Sequence, residues 1–415
     1  MAEEVCSGDG VERADVFDLL YALVDKSLLM IEPGHNGETR FTMLESLWDY
    51  ADEKLTQHHE TAHYRTRHLE FFMRFAEDAE AELVGTDQVR MLDRLSQEHY
   101  NLNYALRWSL ESEERVHLGL RLAGALTRYW EVRSYLTEGR EMFEDLLQRA
   151  NDAVPLTIRA KAERGAGRLS WCQDRDDDAL RHYGEAERLF EELGMTEDAG
   201  FVKAFRGFTE RNEGNNEKAR ELFEQARAIG NSVQSKRLIA TGLSGLGSIA
   251  TDDEDFTTGR EMKERSLAIF RETGDKWVIG LVTWSLAKAC ISERDYTAAR
   301  KYLTESIALS RELGNKWSVP YALESIADIC IAENCGAKAV RLYGAASMQR
   351  ENLGLAFPPA EKLSYERALG RLHELIPAKQ FELEWSTGRT LSAQSAIGLA
   401  LEVQAAQPRV PKRRR

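Results

Sequence analysis

Small and apolar residues recur at a fixed spacing along the middle of this chain. The stretch Asp255–Trp277 is followed by a second copy at Asp295–Trp317, and the two are identical at 10 of 23 positions. Their apolar residues lie three and four positions apart, which is typical of one face of an α-helix. A repeat with a period of about 40 residues indicates stacked supersecondary units, each of which buries its apolar face against its neighbours.

Three series of small residues carry the same register through five units. They are Gly167, Gly207, Gly247, Ala287 and Ala327; Ala179, Ala219, Gly259, Ala299 and Ala339; and Ala186, Ala226, Ser266, Ser306 and Ala346. The second and third series are seven residues apart, two helical turns, so they share one face of a helix B, whereas the first lies in a preceding helix A. Small side chains there let the two helices approach closely. We expect the units to end at left-handed glycines, namely Gly194, Gly230, Gly274, Gly314 and Gly354.

This pattern resembles the tetratricopeptide repeat, whose usual unit is about 34 residues. It predicts an all-α fold, a tetratricopeptide-like α-solenoid in which helical hairpins with a period of about 40 residues form a right-handed superhelix. A weaker unit, with Thr127, Gly139 and Leu146 in the same register, precedes the five clear ones.

The N-terminal part has a different pattern. It predicts an amphipathic helix over Asp15–Met30, a turn at 33–37, a short strand over Thr39–Met43 and a helix over Glu45–Leu55. This order is the skeleton of a small, partial winged-helix domain. Helical patterns over 61–82 and 88–110 follow it.

Several separated segments carry a family resemblance: Leu23–Leu29, Arg40–Leu55, Leu92–Trp108 and Leu342–Leu372. Together they resemble the winged-helix and repeat parts of bacterial STAND-class ATPase transcriptional regulators (NB-ARC-, LuxR- and AfsR-like). The resemblance implies a structural winged helix and a sensor array, with a nucleotide-binding domain before them. This chain has no G-x-x-x-x-G-K-[ST] motif, and Ala2–Gly10 resembles the end of the winged helix's first helix. We therefore expect a truncated or split regulator whose nucleotide-binding module is encoded upstream or supplied in trans.

These observations predict five divisions. They are a partial winged helix at 1–57, a helical connector at 58–112, the repeat array at 113–373, C-terminal capping helices at 374–404 and a disordered basic tail at 405–415.

The net charge and the composition limit the kinds of partner that this chain is expected to bind. The formal net charge is -14, which disfavours a protein that coats nucleic acid. The predicted recognition helix carries Glu45, Asp49, Asp52 and Glu53 against Lys54, which argues against direct DNA contact. The five basic residues within 409–415 could contact an acidic surface or belong to a disordered tail. There is no signal peptide or membrane-length apolar run, and the five cysteines form no CxxC pair, so we expect a cytoplasmic protein with no membrane contact.

One literal catalytic motif is present. His59 and His63 belong to an H-E-x-x-H sequence, in which two imidazoles one helical turn apart can bind Zn²⁺. The alternatives are a zinc hydrolase, adventitious metal binding and a solvated polar helix face, and Arg65 together with the acidic stretch that follows favours the last. Cys290 and Cys330 occupy the same position in successive units and are interpreted as small buried repeat residues rather than a redox pair. We expect no enzymatic activity, no cofactor and no bound metal.

The concave groove of the array is the candidate binding site. By position in helix A, the groove-facing residues are Lys161, Arg164, Arg168, Trp171, Phe201, Phe208, Arg211, Trp284, Lys288, Tyr321, Glu324 and Asp328. They predict a basic, aromatic N-terminal end and an acidic C-terminal end. Such a groove suits a partner protein, an extended acidic peptide or a small inducer. The predicted function is the sensor and scaffold of a bacterial signal-transduction or transcription regulator, and the alternative is a stand-alone scaffold with no link to ATP.

Overall fold

The N-terminal segment is a helix–hairpin–helix arrangement. The computed structural model describes residues 1–8, 10–33, 39–357 and 359–405. The first elements are α1 (Ala2–Cys6), α2 (Asp15–Asp25), the antiparallel strands β1 (Met30–Pro33) and β2 (Thr39–Thr42), and α3 (Glu45–Gln57). The helix predicted to reach Met30 ends at Asp25, because Ser27 is left-handed (φ 59°) and Met30 pairs with Thr42 in the hairpin. The predicted turn at 33–37 lies outside the described residues apart from Pro33.

Three helices connect this segment to the array. They are α4 (Thr61–Glu80), α5 (Gln88–Gln97) and α6 (His99–Leu110), with 3₁₀ turns at Glu82–Val84 and Glu113–Arg115. The helical pattern predicted over 88–110 is divided in two at Glu98. Leu69 and Phe72 of α4 are buried in one continuous core with Leu120 of the first array helix, so this connector packs directly on the array.

Six helical hairpins form the array in the described part of the chain. They are α7 (Val116–Arg133) with α8 (Leu136–Arg149), α9 (Leu156–Cys172) with α10 (Asp176–Glu192), α11 (Thr196–Asn212) with α12 (Asn216–Ser232), α13 (Lys236–Asp252) with α14 (Phe256–Thr273), α15 (Lys276–Ser292) with α16 (Tyr296–Glu312), and α17 (Val319–Ala332) with α18 (Gly336–Leu353). The second helices of the last five hairpins begin at equal intervals, at positions 176, 216, 256, 296 and 336. The predicted tetratricopeptide-like solenoid is therefore confirmed.

The turn within each of these five hairpins has one residue in the left-handed conformation at a repeating position. These residues are Asp174, Gly214, Glu254, Arg294 and Asn334. The turns between hairpins repeat the feature at Gly194, Gln234, Gly274, Gly314 and Gly354. The prediction of Gly230 as a helix end was wrong, because Gly230 lies inside α12. A Cβ there would come within 2.9 Å of the Ile239 backbone nitrogen, so its glycine serves a close approach of α12 to α13.

The small residues at the helix A and helix B positions do allow close crossing. In the fourth hairpin a Cβ on Gly247 would lie 2.8 Å from the Gly259 carbonyl oxygen, and one on Gly259 would lie 2.9 Å from the Gly247 carbonyl oxygen. Contacts this short exclude any side chain unless the backbones separate.

Three helices follow the last hairpin: α19 (Pro359–Leu375), α20 (Ala378–Arg389) and α21 (Ala393–Ala405). Helix α20 packs along α18, and α21 contacts α16, α17 and α18, so both cover the end of the array. The predicted basic tail lies outside the described residues beyond Ala405. No helix among the described residues combines the length and the hydropathy that a membrane crossing requires.

Early and late parts of the array contact each other, so the array closes on itself along a seam. We define the seam as the contacts of residues 86–88, 132–134 and 172–174 with residues 274–277, 313–321 and 350–355. The Ser134 hydroxyl accepts the backbone N–H of Trp317 at 3.1 Å, and the Asn315 amide donates to the Val132 carbonyl at 2.7 Å. The Trp317 indole N–H donates to the Cys172 carbonyl at 2.5 Å.

The connector extends the seam at the other end. Gln88 is fully buried; its amide N–H donates to Asp275 Oδ1 at 3.3 Å, and its carbonyl oxygen accepts the backbone N–H of Trp277 at 3.2 Å. These contacts join residues almost 190 positions apart, and they bring the connector and a distant hairpin together across the concave groove.

Candidate functional site

A central cavity of about 670 Å³ lies inside the closed array. It is lined mainly by the first helix of each hairpin, together with the end of α4. Nine of the twelve predicted groove residues line it: Lys161, Arg164, Arg168, Trp171, Phe201, Phe208, Arg211, Trp284 and Tyr321. Their common position in helix A explains this, because the same helical face of successive hairpins points inward.

The other three predicted groove residues do not line the cavity, and each is engaged with another helix. Lys288 pairs with Glu361 at 3.0 Å, and the Arg350 guanidinium donates to Glu324 at 2.7 and 3.0 Å. Asp328 accepts the Tyr343 hydroxyl at 2.6 Å. The structure does not bring these three residues to the cavity wall, and partner binding by the twelve residues stays a prediction.

Glu131 is the most deeply buried charge at the cavity, with 2% of its surface exposed. It pairs with Arg168 and accepts a hydrogen bond from Arg128 at 2.9 Å. Burial alone would raise the pKa of Glu131, but the two guanidinium groups outweigh burial and hold that pKa below its usual range. These three residues form a fixed ionic cluster in the cavity wall.

The predicted basic end of the groove is largely neutralised. Arg164 pairs with Asp198, and Arg211 donates to Asp252 at 2.6 and 2.8 Å. Lys161 lies 3.7 Å from Glu80. The positive charges that would attract an acidic chain are therefore already paired with carboxylates of neighbouring helices.

An aromatic wall runs along one side of the cavity. The ring centroid of Trp171 lies 5.8 Å from that of Trp317 and 6.4 Å from that of Phe208. Trp284 and Tyr321 continue the wall, with their centroids 5.4 Å apart. Aromatic faces beside paired charges suit a ligand with an apolar body and a few polar groups.

Sequence reasoning missed four important lining residues, Arg128, Glu131, Phe205 and Arg237. Arg128 and Glu131 belong to the weakest repeat, where the register is hardest to follow. Arg237 lies one helical turn before the repeat position that Phe201 and Tyr321 share, so the groove register did not include it.

The H-E-x-x-H sequence is not arranged as a metal-binding helix. His59 lies before α4 with φ at 59°, and α4 begins only at Thr61, so His59 and His63 do not occupy successive turns of one helix. In the part of the chain that the structure describes, no three His, Cys, Asp or Glu side chains are grouped so that they could hold a metal ion. Cys290 and Cys330 are buried and unpaired, as interpreted from their repeat positions.

Known proteins resemble this chain in part. No family model matches it. Proteins named as HTH-type transcriptional regulators from Mycobacterium tuberculosis and Mycobacterium bovis are 33% identical to it over 169 residues, which is 40% of this chain. The matched segment spans 19% of the relatives' own length.

Solved structures show a helical-repeat likeness. A Rap protein complexed with competence and sporulation factor has a TM-score of 0.47 at 14% identity, covering 80% of this chain and 98% of that one. A STAND protein with a tetratricopeptide repeat sensor from Pyrococcus horikoshii has a TM-score of 0.41 at 16% identity, covering 88% of this chain and 58% of that one.

Proposed function

We propose that this chain is the non-catalytic sensor and scaffold part of a transcriptional regulator, and that its ligand binds in the central cavity. The observation that carries the proposal is the closed array itself, with a central cavity whose wall combines aromatic faces and fixed ion pairs. Its volume of about 670 Å³ lies within the range of small-molecule sites, about 300–1,000 Å³. A small inducer or a short partner segment therefore fits better than a folded domain.

Closure provides a way for a ligand to act. A bound ligand would contact helices on both sides of the seam, such as Lys161 of α9 and Trp284 of α15. It would favour the closed array over any more open form by the difference between its affinities for the two. The identity to named transcriptional regulators supports a regulatory output.

The N-terminal helix–hairpin–helix segment would link the array to the rest of the regulator. Its large apolar side chains are unusually exposed for a folded segment: Phe17 and Ile31 at 45% and Tyr50 at 58%. Exposed apolar groups of this kind are typical of a contact surface. The nucleotide-binding and effector parts would lie on the same polypeptide or on another chain.

The test uses N-phenyl-1-naphthylamine, a neutral aromatic probe whose fluorescence rises in apolar sites. The purified chain is expected to bind it at one saturable site. Thr241→Phe places a ring in the cavity and should weaken binding about tenfold or more, since it removes the space that the probe needs. Thr304→Phe, at an exposed position on α16, is the control and should bind like the wild type.

Equal affinity of wild type, Thr241→Phe and Thr304→Phe would show that the probe binds elsewhere. That result, or no saturable binding by the wild type, would contradict the cavity as the ligand site. Circular dichroism of each variant verifies that the array remains helical.

A further inference from the structure

Arg237 differs from the other arginines that line the cavity. It lies in the first turn of α13, at the repeat position that Trp277 and Trp317 occupy in the next two hairpins. Those tryptophans are buried, with 2% and 4% of their surfaces exposed. Arg237 instead lines the cavity, and 38% of its side-chain surface remains accessible. The two preceding hairpins have Thr157 and Glu197 at this position, so its occupant varies along the array.

The Arg237 guanidinium makes no hydrogen bond to any residue that the structure describes. Its Nε is enclosed and has no acceptor. The nearest carboxylate oxygen is Asp275 Oδ2 at 4.0 Å, and this oxygen also lies 3.7 Å from Arg128. The other cavity arginines, by contrast, each donate to a carboxylate: Arg128 and Arg168 to Glu131, Arg164 to Asp198, and Arg211 to Asp252.

The surroundings leave the charge of Arg237 under-compensated. Burial lowers the pKa of Arg237, and repulsion from Arg128 adds to that effect, while Asp275 and Glu197 oppose it. A guanidinium in such a place gains stability when a second anion arrives, because its free N–H groups acquire acceptors. The Phe201 ring, 5.7 Å from the guanidinium carbon, offers an apolar surface beside it.

We propose that Arg237 is the anion-binding residue of the cavity, and that the natural ligand is a small organic anion: a carboxylate or phosphate joined to an apolar, ring-sized body. The inference rests on the proposed ligand-binding function and deepens it. The anionic group would be bound by the free edge of the guanidinium, and the apolar body would lie against Phe201 and the aromatic wall.

Two fluorescent probes with the same rings test this directly. 8-Anilinonaphthalene-1-sulfonate is N-phenyl-1-naphthylamine with an added sulfonate, so the pair isolates the contribution of one anionic group. Arg237→Gln should weaken binding of the sulfonate about ten- to hundredfold, as expected for a lost charge-assisted hydrogen bond. Its affinity for the neutral probe should change less than about twofold.

Two further variants serve as a control and as an independent measure of the role of Arg237. Arg265→Gln, on the exposed face of α14, is the matched control and should leave both affinities unchanged. Arg237→Lys keeps the charge but loses the planar fork, so the sulfonate should bind with intermediate affinity. This variant also gives a result if Arg237→Gln does not fold. Sulfonate binding that is indifferent to both Arg237 variants, or an equal loss for both probes, would overturn the inference.

Competition identifies the source of the anion. Displacement of the bound sulfonate by phenylacetate or by phenyl phosphate supports the proposal and separates a carboxylate ligand from a phosphate ligand. Displacement by neutral benzyl alcohol as effectively as by either anion would overturn it. If the neutral probe binds in a Thr241-dependent way while the sulfonate ignores Arg237, only this inference fails; if neither probe binds the wild type, the proposed function itself fails.

Discussion

Lys263 offers the sharpest test of how the repeat is packed. It lies on α14 at the position that is otherwise apolar or aromatic in the array, namely Tyr183, Phe223, Leu303 and Tyr343. Only 2% of Lys263 is exposed. Its Nζ lies 3.3 Å from the Thr251 hydroxyl and 3.5 Å from the Ser285 carbonyl, and no described carboxylate lies within ion-pair distance.

The free-energy cost of burying this charge follows from the pKa of the Lys263 amine. Burial, with repulsion from Arg211 next, lowers the pKa of Lys263 from 10.5 to about 7. At about 1.4 kcal/mol per unit, protonation is disfavoured by up to about 5 kcal/mol. Relaxation and water entry reduce such penalties, so we expect Lys263→Met, which keeps the length of the side chain, to raise the free energy of unfolding by about 1–4 kcal/mol near pH 7.

The pH dependence gives the distinguishing result. The folded-state pKa lies below the unfolded value, so the unfolded chain binds more protons between about pH 7 and pH 10.5. The penalty is therefore complete below pH 7 and is relieved as the pH rises. The advantage of Lys263→Met over the wild type should shrink by up to about 1.4 kcal/mol per pH unit in this window.

Urea unfolding followed by tryptophan fluorescence at pH 6.5, 8 and 9 measures this advantage. Lys301→Met, at an exposed position on α16, is the control and should change stability little at any pH. A Lys263→Met protein that is no more stable than the wild type, or an advantage that stays constant with pH, would refute the reasoning. Either result would mean that the amine is well hydrated or paired.

Two further predictions concern the seam and the helix crossing. Burial raises the pKa of Asp174 to about 8, whereas an unfolded Asp titrates near pH 4. The cost of ionising Asp174 in the folded state is therefore complete above pH 8 and absent below about pH 4. Asp174→Asn, which tolerates the left-handed turn, should raise the thermal midpoint at pH 8.5, and the gain should shrink toward pH 5; a constant gain would contradict this account. Gly247→Leu should lower the free energy of unfolding by about 1–3 kcal/mol or more, because its side chain would meet the α14 backbone, while Gly184→Leu, at an open position, serves as the control. Comparable urea midpoints for the two leucine variants would argue against the close crossing.

Much of the local architecture could be predicted from the sequence. The period of the repeat predicted the paired helices, and the small-residue series predicted the close crossing at Gly247 and Gly259. Nine of the twelve residues predicted from the helix A register line the cavity. This was possible because each hairpin is specified by contacts within itself and with its neighbours.

Failures occurred where distant residues meet. Lys288 was predicted to face the groove, but its amine pairs with Glu361, which belongs to a helix that follows the array. The basic end of the groove was predicted from arginines on helix A, but their carboxylate partners belong to other helices. The repeat position of a residue predicts the direction of its side chain, but it does not predict which charged residue of another helix pairs with it.

The sequence by itself thus determined the hairpin, its period and the face that points inward, since these depend on residues close together along the chain. Only the tertiary structure decided that the array closes, because Ser134 meets Trp317 across 183 positions and the small rotations of successive hairpins must add up before the two can touch. Closure also makes a cavity out of a groove, and it leaves Arg237 facing that space without a hydrogen-bond partner among the described residues.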